Sequence, residues 1–200
     1  MRQQGVVSRR EVLDFWFGLP GTAERGQHRD IWFARQDAGG SEFDAEIGAK
    51  FAATMAAAAA GDLDHWAHSK DGTVALLILL DQFSRNVFRG TAQAFANDGK
   101  VLAFAKRGVE AGWLEELDQL VAKFFVLPFT HSEDLADQEQ GVALAENLRD
   151  TENGEKSYEA AVKHRDIIAE YGRFPHRNKA MGRSNTPEEE VYLEDPEAGF

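Results

Sequence analysis

Val74-Ala75-Leu76-Leu77-Ile78-Leu79-Leu80-Asp81-Gln82-Phe83-Ser84-Arg85-Asn86-Val87-Phe88 decides the fold. A segment this long, apolar almost all round at its start, is read as a helix that sits in the middle of a core. Its apolar run, Val74 to Leu80, is about a third of a membrane span and far too short to cross a bilayer. The same helix then turns polar. Asp81 and Arg85 stand four residues apart, as do Gln82 and Asn86, so each pair shares a face. Charge on a buried helix is expensive unless it is paired or lines a wet cavity.

Working outward, the pattern is helix after helix. Ser8 and Glu11 form a capping box before Val12, Leu13, Phe15 and Trp16, and Gly18, Pro20 and Gly21 close that element. A short amphipathic piece spans Arg29 to Arg35. After Gly39 and Gly40, a long helix from about Ser41 to Ala60 carries Phe43, Ile47, Phe51 and Met55 at a spacing of four. Its closing alanines, Ala56 to Ala60, suit a close helix–helix contact.

Asp62 opens a short helix with His65, Trp66 and His68. Thr91 to Gly108 is amphipathic. Leu117 to Phe125 gives the next stripe, which Pro128 is expected to break. Thr130 and Glu133 read as a second capping box, for a helix to about Arg149. Tyr158, Ala161, Val162, Ile168 and Tyr171 mark a helix between the Asn153-Gly154 turn and Gly172. Thr186, Pro187 and Glu189 begin a last short one. No segment alternates with period two long enough for a sheet. The expectation is an all-α chain, a single helical domain over residues 1–200 of about eight to ten helices, ordered over about 8–193 with a frayed tail at 194–200.

Composition narrows the function. The chain has 200 residues, no cysteine, fourteen Phe, four Trp and a net charge of −12. Thiolate chemistry and cysteine-ligated metals are excluded. The acidic balance argues against nucleic acid and against anionic membranes as partners. The opening MRQQGVVSRR has no apolar signal core, so a cytoplasmic location is expected. The tryptophans Trp16, Trp32, Trp66 and Trp113 read as core. His65 and His68 lack a third ligand and read as a solvated pair, so neither a metal nor any other cofactor is expected.

The charge is uneven, however. Lys163 to Arg183 holds six Lys or Arg against two acids, and Glu188 to Glu197 holds six acids and no base. Three polar stretches stand out. The first is Asp81, Arg85, Asn86 and Arg89 on the central helix. The second is Pro128-Phe129-Thr130-His131-Ser132-Glu133. If Thr130 caps a helix, His131 and Ser132 fall in its first turn, a natural anion seat. The third is Gly172-Arg173-Phe174-Pro175-His176-Arg177-Asn178 with Arg183, a loop rich in cations that suits a carboxylate or phosphate. His164 shares the face of Ile168 and Tyr171 and points inward nearby. His131 or His176, helped by Glu133, are the candidates for acid–base chemistry.

Two functional readings and one structural reading follow. The set Asp81, Arg85, Asn86, Arg89, His131, Ser132, His164, Arg173, His176, Arg177, Asn178 and Arg183 could line a cleft for a small anionic metabolite, as in a hydrolase or transferase. It could clamp an acidic peptide. Or it could lock itself in a buried network with no ligand. Taken with Val12-Leu13-Asp14-Phe15-Trp16-Phe17-Gly18 and Gly182-Arg183-Ser184-Asn185-Thr186-Pro187-Glu188-Glu189, the three stretches resemble the bacterial domain-of-unknown-function family numbered 924. The resemblance covers about residues 10 to 193. It implies an all-helical fold similar to tetratricopeptide-like arrays and no particular activity.

Overall fold

The computed structural model describes residues 5–34, 40–150, 153–195 and 198. Among these residues the chain is helical and contains no strand. The central rod is built from three consecutive pieces: α3 (Lys70–Leu77), a π-helical turn (Ile78–Gln82) and α4 (Phe83–Val87). Every residue from Gly72 to Ser84 is buried, as the unbroken apolar run requires. Gly72 is needed at its start, because a Cβ there would come within 2.1 Å of the Trp66 carbonyl oxygen.

Four helices wrap the rod: α1 (Arg9–Phe17), α2 (Gly40–Ala60), α5 (Asp98–Glu110) and α6 (Gln119–Thr130). The Ser8–Glu11 capping box forms, with the Glu11 amide donating to Ser8 Oγ and the Ser8 amide donating to Glu11 Oε2. The last carbonyls of α1 take side-chain donors instead of water. Arg29 Nη1 reaches Phe15 O and Trp16 O at 2.8 and 2.9 Å, and Trp32 Nε1 reaches Trp16 O at 2.9 Å. Phe43, Ile47, Phe51 and Met55 face the core from α2 at the expected spacing, with Ala57 and Ala58 also buried. The α5–α6 crossing is so close that a Cβ on Gly108 would sit 2.2 Å from the Phe125 ring.

From α6 onward the helices pack in chain order through α7 (Leu135–Glu146) and α8 (Gly154–Tyr171), joined by short connections. Their core is thin: Val126, Ala145 and Ala161 in one cluster, and Ile167, Ile168 and Phe174 in another. The chain closes with α9 (Asn178–Met181) and α10 (Pro187–Leu193). No described helix is long and apolar enough to cross a membrane.

Several boundaries differ from expectation. Pro128 does not break α6. It lies in the last turn, where only Phe129 and Thr130 follow it, so the disruption is confined to the helix end. Thr130 is helical and donates its hydroxyl to Leu127 O. The cap of α7 is Asp134, whose Oδ1 accepts from the Ala136 and Asp137 amides. An aspartate one residue beyond Glu133 therefore displaces the expected Thr130 box. The Thr91–Gly108 segment divides into a 3₁₀ turn, Ala92–Phe95, and α5. The 62–68 helix is a 3₁₀ turn, Asp64–His68. Arg35, Gly39 and most of the tail expected to fray fall outside the described residues.

Candidate functional site

The polar stretches meet where the π turn, the α6–α7 corner and the segment after α8 come together. A π turn inserts an extra residue into a helix, and such turns recur at functional sites. Here it carries Asp81 and Gln82. Asp81 is 2% exposed, accepts from Gln82 Nε2 at 2.6 Å and His131 Nδ1 at 2.8 Å, and forms an ion pair with Arg85 Nη1 at 2.6 Å. Burial works to raise the Asp81 pKa, but Arg85, His131 and Gln82 outweigh it and hold the carboxyl far below its ordinary range. A carboxylate only accepts hydrogen bonds. His131 therefore carries its proton on Nδ1, which leaves Nε2 as a basic lone pair. Burial and then Arg85 push the His131 pKa below its usual 6.5, against the pull of Asp81.

A second carboxylate, Asp98 at the start of α5, ties the cations together. It takes Arg85 through both Nη atoms at 3.0 Å and Arg177 Nη1 at 3.2 Å. Arg177 Nη1 also donates to the His131 carbonyl at 3.0 Å. The Arg177 guanidinium lies between two rings, 4.6 Å from Phe95 and 4.3 Å from Phe174. Its side chain is 6% exposed, and its buried Nε has no hydrogen-bond partner among the described residues. Burial, and then the neighbouring Arg85, lower its pKa to about 10.

Two further imidazoles adjoin this centre. The His164 ring lies 6.3 Å from that of His131 and 5.6 Å from Phe174, and the His176 ring lies 5.4 Å from Phe174. His164 Nδ1 donates to Ala160 O at 2.7 Å. Burial drives the His164 pKa down to about 3, and burial with Arg177 drives that of His176 down to about 4. Three of the six histidines in the sequence therefore converge as neutral rings.

The other anticipated residues go elsewhere. Asn86 and Arg89 both donate to Asp44 on α2, each at 2.6 Å at closest. Ser132 donates to Asp137. Arg173 and Asn178 hold Glu189, with Arg173 Nε 2.6 Å from Oε1. Glu133 is not a helper of His131. It accepts both Nη atoms of Arg183, at 2.7 and 3.0 Å, and the Phe174 amide. Arg85, Arg89, Arg173, Arg177 and Arg183 each meet a carboxylate rather than stand unpaired along a cleft. His131 closes α6 rather than opening α7, so the expected helix-start anion seat is absent there.

A cavity of about 310 Å³ opens in a different place, between α1, the start of α3 and α6, with Leu13, Phe17, Val74, Leu120 and Val121 among its walls. A neighbouring cavity of about 330 Å³ shares Leu13, Arg25 and Asp71 with it. Among the described residues no three His, Asp or Glu side chains are grouped to hold a metal ion.

The all-helical build recurs in a known structure. Residues 12–197 match a family described as bacterial protein of unknown function, DUF924. The chain belongs to that family. It is also similar to the solved structure of ATU0120, a protein of unknown function from Agrobacterium tumefaciens. The two share 35% identity with a TM-score of 0.80, over 94% of this chain and 97% of that one. No curated protein matches.

Proposed function

We propose that the Asp81–His131–Arg177 centre binds a small carboxylate- or phosphate-bearing molecule and exchanges a proton with it. The observation that carries this reading is Arg177. A buried guanidinium has five N–H donors to satisfy, yet among the described residues both hydrogen bonds of Arg177 leave from Nη1 while its buried Nε meets no acceptor. An unsatisfied donor of this kind costs about 1–3 kcal/mol, and an anionic oxygen on its free edge would recover that. The lowered Arg177 pKa points the same way, since an added anion stabilises the cation. His131, its Nδ1 fixed by Asp81, presents Nε2 as the base. Solvent reaches the centre past Arg85 and Asp98, each 19% exposed, and His131, 13% exposed. So little exposure suits a small molecule better than a peptide chain.

The second reading is a structural lock. It is favoured by the pairing of each guanidinium with a carboxylate. A thermal-shift series with inorganic phosphate, succinate and an acidic peptide separates the two. Binding stabilises by about 2.7 kcal/mol at a hundredfold excess over Kd. The proposal expects phosphate or succinate to raise the Tm of the native chain and to leave folded Arg177→Met unchanged. No shift with any anion, together with unfolding of Arg177→Met, supports the lock. A shift with the peptide alone supports a peptide clamp.

A further inference from the structure

Away from this centre, the ammonium of Lys123 on α6 sits in an aromatic box. Its Nζ lies 4.9 Å from the Trp32 ring centroid, 5.1 Å from Phe33 and 5.3 Å from Phe124. His28 Nδ1 is 3.3 Å away. No carboxylate among the described residues forms an ion pair with it. Other lysines do have such partners: Lys70 with Glu116, Lys100 with Asp64 and Lys106 with Asp137. Trp32 and Phe124 are 2% and 1% exposed, whereas Phe33 is 53% exposed, so the box is closed behind and open at one wall.

We propose that Lys123 is a nucleophilic amine that condenses with small aldehydes or ketones, with His28 as its proton acceptor. The chemistry follows from the surroundings. An amine is a nucleophile only when neutral, and a lysine becomes so near neutral pH when burial strips its ammonium of water and no anion compensates. Burial lowers the Lys123 pKa to about 8. The π faces hold the cation and oppose part of that shift, which keeps the amine in place without the full hold of a carboxylate. His28 Nε2 lies 3.6 Å from Asp30, a fully exposed side chain, so a proton taken at Nδ1 has a route to solvent.

The step balances without a further reactant. The Lys123 nitrogen attacks the carbonyl carbon, and its proton passes to the carbonyl oxygen to give a carbinolamine. That hydroxyl then leaves with a second proton as water, and a C=N bond remains. The 310 Å³ cavity is one layer away: Phe17 lines it and packs edge-on against Trp32 and Phe124, with ring centroids 5.8 and 5.4 Å apart. This inference does not depend on the Arg177 centre.

The test is reductive trapping on the intact protein. Acetaldehyde with sodium cyanoborohydride at pH 7, followed by peptide mass mapping, gives a labelling rate for each of the eight lysines. Lys123 is expected to label at least ~10-fold faster than the exposed Lys156. Phe33→Glu sets a carboxylate at the open wall without disturbing the core, and is expected to bring the Lys123 rate down to that of Lys156. Labelling of Lys123 no faster than Lys156 in the native chain, or an undiminished lead in Phe33→Glu, overturns the proposal.

Discussion

Trp16 packs against Trp32, Phe43, Phe83 and Phe124, whereas Arg173, Arg177 and Arg183, late in the chain, each end on a carboxylate. The first region belongs to the large core around the central rod. The second has only the small Ile167, Ile168 and Phe174 cluster beneath it. The contrast shows how one chain stabilises two ends differently. Where aromatic surface is plentiful, non-directional burial is enough. Where the chain offers few apolar residues, paired charges and caps fix a short segment in place, and these are directional and sensitive to pH.

Substitutions should expose that difference in order of size. Trp16→Ala is expected to cost about 3–5 kcal/mol in denaturant unfolding, because it empties the middle of the aromatic cluster. Asp81→Ala should cost about 3 kcal/mol, since His131 loses a buried acceptor and Arg85 a buried counter-ion, while Arg85 keeps Asp98. It should also lower the His131 pKa further, readable by NMR titration, because Asp81 opposes the lowering caused by burial and Arg85.

Acid should act next, and in two stages. His164 and His176 take up protons at about 3 and about 4 in the folded chain, against 6.5 when unfolded. Unfolding therefore binds protons below pH 6.5. The stability they contribute is complete above 6.5 and falls as pH drops toward 4 and 3. Glu189 follows the carboxylate case. The Arg173 hydrogen bonds, against some burial, hold its pKa at about 2 rather than 4.5, so its contribution is complete above 4.5 and is lost as pH falls toward 2. A plot of Tm against pH should decline from 6.5, and the double substitution His164→Gln with His176→Gln should flatten that first decline. The smallest effect belongs to Thr186→Ala, which removes the N-cap of α10 and costs about 1 kcal/mol. Hydrogen exchange should rise in residues 186–194 and stay unchanged in α3.

Much of this arrangement is legible in the sequence because its signals are local. The Ser8–Glu11 and Thr186–Glu189 boxes are complete within four residues, and the apolar run of α3 declares its burial outright. Polar side chains on that run announce a polar centre for the same reason. What escapes is set by distance along the chain. Asp98 joins Arg85, 13 residues away, to Arg177, 79 residues away, and nothing near it in sequence marks that role. The box around Lys123 closes over a separation of 95 residues to His28. Thr130 with Glu133 satisfies the capping pattern, but Asp134 competes at the next position and wins. Nothing within the arginine-rich loop marks its acidic partners, because Asp98, Glu133 and Glu189 come from other helices and turns.

The proposed function depends most heavily on Arg177 receiving an anion beside His131. The direct measurement is the imidazole ¹⁵N spectrum of the native chain titrated with inorganic phosphate and with succinate, alongside Arg177→Met. At least one anion is expected to shift the His131 resonances saturably, with His164 and His176 following, and the shifts are expected to vanish in folded Arg177→Met. Saturable shifts that persist in Arg177→Met, or unmoved His131 resonances at every anion concentration, would contradict it.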